Sequence, residues 1–170
     1  MRKRVLVVDD DTSVRESLGK VLRGKDYDVL LAGDGREALE LFGKAQIDLL
    51  LLDLGLPTMN GWDAFERINN ENPLMPIIII TGRANQRDVA MAAGVGALME
   101  KPLDVPRLLE TIQELLAEPK HARLLRMRGY TEDIRYIASR STIFLKKLRE
   151  QQTTEFQRRS GHRPQDSPEE

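Results

Sequence analysis

The feature that most constrains the fold is a pair of almost uninterrupted apolar runs in the middle of the chain. One run is Ile47–Leu52, broken by Asp48 alone, and the other is Pro76–Ile80. Strands covered by helices on both faces read as continuous apolar segments, whereas strands with one face in water alternate between apolar and polar residues. The two runs therefore predict the central strands of a parallel sheet.

Apolar runs and helical repeats alternate along the first 119 residues. The predicted strands are Arg4–Val8, Tyr27–Leu31, Asp48–Leu52, Pro76–Ile80 and Ala97–Glu100. A helical repeat follows each strand, and the expected helix starts lie at Asp11 or Thr12, Asp34, Gly61, about residue 85 and Asp104. Strict alternation of strand and helix predicts a doubly wound α/β sandwich with functional residues at the carboxyl ends of its strands.

The chain changes character after Pro119. Residues 1–119 hold 14 Lys and Arg against 20 Asp and Glu, whereas residues 120–170 hold 12 against 7. Helical spacing continues over His121–Arg128 and again from Thr131 to about residue 150, beyond which the composition is polar. We therefore predict a domain at 1–119, a basic helical extension at 120–150 and a disordered tail at 151–170.

Composition excludes several classes of protein. The chain has no cysteine, so disulfides and thiolate metal sites are ruled out. Its longest apolar runs fall far short of the roughly 20 residues that a membrane span needs. The apolar stretch that follows the basic residues near Met1 is too short for a signal peptide. We expect a cytoplasmic protein with no membrane contact.

Polar side chains follow four of the predicted strands at the point where each strand ends. Asp9 and Asp10 follow the first strand, Asp53 the third, Thr81 the fourth and Lys101 the fifth. Clustered carboxylates raise one another's pKa unless a cation neutralises them, and their hard oxygens suit Mg²⁺ together with phosphate. A hydroxyl and an ammonium beside them match the needs of a bound phosphoryl group. The pattern favours a phosphoryl site with a divalent metal over a purely structural salt-bridge network.

Four separated motifs resemble the signature of bacterial response-regulator receiver domains. They occur in the family's order, cover about residues 2–118, and are Val7–Asp11, Leu51–Gly61, Ile79–Gly82 and Lys101–Pro102. The resemblance implies a flavodoxin-like (βα)5 sheet of strand order 2-1-3-4-5. It also implies a part in two-component phosphorelay signal transduction. On this reading the chain is not an enzyme but a signalling receiver with phosphotransfer and autodephosphorylation chemistry of its own.

The resemblance further implies an acceptor and a metal site. Asp53 would take a phosphoryl group from a sensor histidine kinase or a histidine phosphotransfer protein, which makes the chain a phosphoprotein carrying an aspartyl phosphate. Asp10 would bind Mg²⁺ directly and Asp9 largely through water. Asp53 and the backbone carbonyl of Gly55 would complete the protein ligands.

The remaining motif residues would bind the phosphoryl group and transmit its presence. Thr81 would hydrogen-bond one phosphoryl oxygen and Lys101 would pair with another, with the peptide bond to Pro102 in the cis form. The signal would leave through contacts with a downstream protein target or a homodimer mate. The sequence departs from the family at Leu98, where Tyr or Phe is usual, and Gly82 offers no side chain to cover the phosphoryl site.

A phosphatase is one alternative from another class. Asp9-x-Asp11 after a first strand, with a later Thr and Lys, resembles the haloacid-dehalogenase phosphatases, in which Asp9 would be the nucleophile and Asp11 the general acid. That family expects a further acidic pair after the lysine, and Asp104 stands alone there. The reading also leaves Asp53 and Pro57 unexplained.

A transcriptional regulator is a second alternative. A break at Ser139–Ser141 between two apolar patches is similar to a helix-turn-helix, with Ala138 at the small-residue position. However, Thr142 stands where a turn glycine would help and Gln151 where an apolar residue is needed. A segment of about 50 residues with few large apolar side chains is also marginal as an independent core. We favour an extension that docks on a protein surface and keep DNA binding as the alternative.

Overall fold

The computed structural model describes residues 2–83, 85–128, 135–139 and 142–143. Its strands are β1 Arg4–Val8, β2 Asp28–Ala32, β3 Leu49–Asp53, β4 Ile77–Thr81, β5 Ala97–Glu100 and β6 Arg135–Ile137. Its helices are α1 Thr12–Arg23, α2 Gly35–Lys44, α3 Gly61–Glu71, α4 Arg87–Ala92, α5 Val105–Ala117 and α6 Lys120–Met127. None of these helices is long and apolar enough to cross a membrane.

The strands form one parallel sheet in the order β2-β1-β3-β4-β5-β6. Every residue of β3 and β4 is buried, as the two apolar runs predict. One apolar cluster covers the face of the sheet that includes Leu50 and Ile79, and a second covers the face that includes Leu51 and Ile80. The predicted flavodoxin-like doubly wound fold of order 2-1-3-4-5 is confirmed, with a sixth strand added at the edge.

The helix starts follow the predicted capping residues with two adjustments. Asp34 and Asp104 cap α2 and α5 through hydrogen bonds from backbone N–H groups of the first turn. Of the two residues expected at the start of α1, Asp11 is the cap, and Thr12 is the first helical residue. Asn60 caps α3, so Gly61 lies inside the helix rather than before it.

The C-terminal extension differs from its prediction. The short basic helix is confirmed as α6, but the helix predicted over 131–150 is wrong at Arg135–Ile137, which form β6. The side chains of β6 alternate between the two faces of the sheet. The backbone of β6 pairs with the open edge of β5, whose hydrogen-bonding groups a helix would leave unpaired. Residues 144–150 and the tail predicted to be disordered at 151–170 lie outside the described residues.

The chain divides into two compact units between Ile137 and Ala138. In the second unit, the Ser139 hydroxyl accepts a hydrogen bond from the Thr142 N–H at 3.1 Å. The boundaries predicted after residues 119 and 150 stay predictions.

Candidate phosphoryl-transfer site

The predicted site residues meet at the carboxyl edge of the sheet. Asp53 and Thr81 are the last residues of β3 and β4, while Asp9 follows β1 and Lys101 follows β5. Because these strands are parallel and adjacent, their ends bring the four side chains together. Asp9, Asp53 and Thr81 are each less than 5% exposed, with values of 1%, 4% and 1%.

Three carboxylates form the acidic part of the site. Asp9, Asp10 and Asp53 each place one oxygen within 4.8 Å of the others. Burial raises the pKa of Asp9, although its hydrogen bonds to Lys101 and to the Asp11 N–H oppose that shift. Asp9 and Asp53 are buried, whereas Asp10 is exposed. Hard carboxylate oxygens gathered this closely are the donor set that Mg²⁺ prefers, so the residues fit the metal that the family resemblance implies.

Lys101 joins two of these carboxylates. Its Nζ lies 2.5 Å from Oδ2 of Asp53 and 2.9 Å from Oδ2 of Asp9. Burial alone would lower the pKa of Lys101, but the bonds to Asp53 and Asp9 raise it instead, so the ammonium stays charged at neutral pH. The peptide bond between Lys101 and Pro102 is cis, which confirms the prediction.

Backbone N–H groups fix the orientation of Asp53 and of Thr81. The N–H of Gly55 donates to Oδ1 of Asp53 at 2.8 Å, and the N–H of Arg83 donates to Oγ1 of Thr81 at 2.9 Å. One carboxylate oxygen of Asp53 therefore accepts a backbone hydrogen bond and the other accepts one from Lys101. The metal-binding role of the Gly55 carbonyl stays a prediction.

Two glycines shape the surroundings of Asp53 in opposite ways. A Cβ added at Gly61 would lie 2.5 Å from Cα of Leu54 and 2.7 Å from the carbonyl oxygen of Asp53. The loop after β3 can pass this close to α3 because Gly61 has no side chain. A Cβ added at Gly82 would meet no described atom within 4 Å, which agrees with the open phosphoryl site expected there.

The sequence analysis did not identify two residues that lie near the site. Nη1 of Arg15 donates to the carbonyl oxygen of Asp9 at 2.6 Å and so holds the acidic loop from α1. Its position one helical turn after Asp11 is the signal that could have identified it. Nε1 of Trp62 donates to Oε1 of Gln86 at 3.0 Å, which links the start of α3 to the cap of α4.

Comparison with known proteins decides the family. The sequence profile of the response regulator receiver domain matches residues 5–113, which is more than half of the chain. The chain belongs to the response regulator receiver family. The match contains all of the predicted site residues, from Asp9 to Lys101.

Curated relatives of this receiver are named as response regulators. The DNA-binding response regulator MtrA of Mycobacterium tuberculosis H37Rv is 39% identical over 118 residues, which cover 68% of this chain and 51% of that protein. The response regulator MprA of Mycobacterium leprae is 36% identical over 119 residues, which cover 69% and 52%. The chain thus spans about half the length of the curated relatives it matches.

Solved structures share the receiver fold. A CheY-like receiver domain protein from Methanospirillum hungatei JF-1 superimposes with a TM-score of 0.67 at 33% identity, covering 72% of this chain and 98% of that one. The response regulator TrrA from Thermotoga maritima, in complex with Mg(2+)-BeF, gives a TM-score of 0.62 at 29% identity, with coverage of 66% and 98%.

Proposed function

We propose that this receiver accepts a phosphoryl group on Asp53 from a histidine kinase or a histidine phosphotransfer protein and then switches its contacts with other proteins. The observation that carries the proposal is the placement of the buried Asp53 carboxylate between the Lys101 ammonium and the Gly55 N–H. Such a carboxylate is held in one orientation, with a positive charge where phosphoryl oxygens would arrive.

The transfer needs one bond formed and one broken. A carboxylate oxygen of Asp53 attacks phosphorus, the bond from phosphorus to the donor imidazole breaks, and its electron pair returns to the imidazole nitrogen. Lys101 then pairs with a phosphoryl oxygen in place of the carboxylate oxygen it now contacts. Thr81, buried at the end of the neighbouring strand, offers its hydroxyl proton to another phosphoryl oxygen.

Mg²⁺ is the proposed cofactor. Asp9, Asp10 and Asp53 would hold it, with the Gly55 carbonyl as a further ligand. When bound, Mg²⁺ supplies positive charge that offsets the charge on the phosphoryl oxygens. The crystal structure of TrrA, a similar receiver solved in complex with Mg(2+)-BeF, supports the choice of Mg²⁺ as the metal.

The proposal makes the chain a signalling receiver rather than a phosphatase. The phosphatase reading needs Asp11 as a general acid, yet Oδ1 of Asp11 accepts the Ser13 N–H at 2.8 Å and the Val14 N–H at 3.2 Å as the cap of α1. Autodephosphorylation needs water to reach the phosphoryl group, and the open space at Gly82 provides such access.

DNA binding is a second candidate output, favoured by two observations. MtrA is named a DNA-binding response regulator, and residues 120–170 of this chain carry 12 Lys and Arg against 7 Asp and Glu. A gel shift with the full chain tests it. Affinity that falls steeply as salt rises supports DNA contact, and no shift at low salt contradicts it.

A titration with beryllofluoride, a stable mimic of the phosphoryl group, tests the proposal for Asp53. Trp62, the single tryptophan, adjoins Gly61 and bonds Gln86, so its fluorescence reports changes in the loops after β3 and β4. We expect a saturable change in Trp62 fluorescence that requires Mg²⁺ and disappears in the Asp53→Asn variant. An equal response in that variant would contradict the proposal.

A further inference from the structure

The sixth strand places an aromatic side chain directly beside the position where the sequence departs from its family. In the parallel ladder, Tyr136 of β6 is the register partner of Leu98 in β5. The Tyr136 hydroxyl donates to Oε1 of Glu100 at 2.5 Å, and its ring lies 5.5 Å from the guanidinium carbon of Arg87 in α4. Burial and the bond to Glu100 raise the pKa of Tyr136 to about 12, so the hydroxyl keeps its proton at neutral pH.

The other face of β6 contacts α5. Nε of Arg135 lies 3.0 Å from Oε2 of Glu114, and its Nη1 lies 3.6 Å from Oε1 of Glu118. Ile137 packs against the apolar cluster on that face. A strand of three residues forms few backbone hydrogen bonds, so these side-chain contacts carry much of its attachment to the sheet.

Both anchors of Tyr136 adjoin residues of the phosphoryl site. Glu100 precedes Lys101 in the chain and is the register partner of Thr81. Arg87 begins α4, and the loop that leads to it starts at Thr81, whose hydroxyl accepts the Arg83 N–H. Any displacement of Thr81 and Lys101 therefore acts on the two residues that hold the ring and hydroxyl of Tyr136.

We propose that β6 is a releasable strand whose docking on the edge of β5 is weakened when Asp53 carries a phosphoryl group. The inference rests on the proposed function and adds an output element to it. The contacts of Tyr136 are formed in the unmodified protein, in which Lys101 bonds Asp53 directly. Once a phosphoryl group occupies that space, Lys101 and Thr81 turn to its oxygens, and Glu100 and Arg87 leave the positions that hold Tyr136.

Thermodynamic linkage makes this coupling reciprocal. If phosphorylation weakens docking of β6 by a given factor, then complete release of β6 must favour the phosphorylated form by the same factor, and partial release by less. Tyr136→Ala removes the ring and the hydroxyl, so it should tighten binding of beryllofluoride with Mg²⁺ by about fivefold or more. Tyr136→Phe keeps the ring and should give a smaller effect. Tyr27→Phe, at the other edge of the sheet, is the matched control and should give none.

Hydrogen–deuterium exchange of the full chain, with and without Mg²⁺ and beryllofluoride, tests the inference directly. We expect slower exchange in the loop after Asp53 and faster exchange at Arg135–Ile137 by about fivefold or more, with Asp28–Ala32 unchanged. Unchanged or slower exchange at Arg135–Ile137, together with a protected loop, would overturn the release of β6 alone. If the loop after Asp53 also fails to respond, the proposed function falls and the inference falls with it.

Discussion

The ammonium of Lys101 lies 2.5 Å from Oδ2 of Asp53 in the unmodified protein. The same ammonium lies 2.9 Å from Oδ2 of Asp9, so one cation serves two buried carboxylates at neighbouring strand ends. This arrangement fixes the orientation of Asp53 and offsets the negative charge of both carboxylates. It also makes the lysine important for stability as well as for the proposed chemistry.

Lys101→Ala should lower the free energy of unfolding by about 2–3 kcal/mol in the absence of Mg²⁺, because it leaves a buried carboxylate pair uncompensated. Urea unfolding measures the change, and millimolar Mg²⁺ should restore part of it. Lys44→Ala, which removes an exposed pair with Glu40, is the control and should cost less than about 0.5 kcal/mol. Equal stabilities of the two variants would contradict the role given to Lys101.

Asp10→Ala should weaken Mg²⁺ binding by about tenfold or more while leaving the fold intact, since it removes a proposed ligand and a like charge together. The thermal midpoint of the wild type should rise when millimolar Mg²⁺ is added, and that of the variant should rise less. Glu40→Ala, an exposed carboxylate on α2, should respond like the wild type. A midpoint of the wild type that ignores Mg²⁺ would count against the metal site.

Gly61→Ala and Gly82→Ala form a matched pair. The first should cost about 3 kcal/mol and slow phosphorylation, because its Cβ would lie 2.7 Å from the carbonyl oxygen of Asp53. The second should change stability by less than about 0.5 kcal/mol, because its Cβ enters open space. Chemical denaturation of both variants decides the matter, and a well-tolerated Gly61→Ala would disprove the close approach.

Glu118 holds α6 through ion pairs with its arginines. The stability lost when Glu118 is replaced should therefore depend on pH. Burial alone would raise the pKa of Glu118, but Arg126, Arg135 and Arg123 hold it below the usual 4.5. Its stabilisation is therefore present above pH 4.5 and is lost as pH falls through the lower folded value. Glu118→Gln should cost about 2–3 kcal/mol at pH 7 and progressively less below pH 4.5. A cost that stays constant down to pH 3 would refute the charge pairing.

The sequence predicts where the candidate site residues lie, because the ends of the strands determine their positions. The apolar runs of β3 and β4 end at Asp53 and Thr81, and parallel pairing with β1 and β5 brings Asp9 and Lys101 to the same edge. The apolar pattern locates the strands, and the rule that functional residues follow the carboxyl ends of parallel strands then locates the site. Nothing in the apolar pattern depends on contacts that are distant in the chain.

The sequence fails at β6 because a distant surface decides its structure. The spacing of Ile134, Ile137 and Ala138 favours a helix, yet Arg135–Ile137 pair with β5 and find Glu100 and Glu114 as partners. A short segment with weak local preference adopts the conformation that the exposed sheet edge stabilises. The edge is visible only once the five-stranded sheet is built.

The most direct test of the account is to map the phosphorylated residue. The full chain is incubated with acetyl phosphate and Mg²⁺, and the intact protein and its peptides are analysed by mass spectrometry. The account predicts the addition of one phosphoryl group, labile to hydroxylamine, on the peptide containing Asp53. Asp53→Asn should lose it and Asp34→Asn, which preserves a helix cap, should retain it. Undiminished labelling of Asp53→Asn would contradict the assignment of Asp53 as the acceptor.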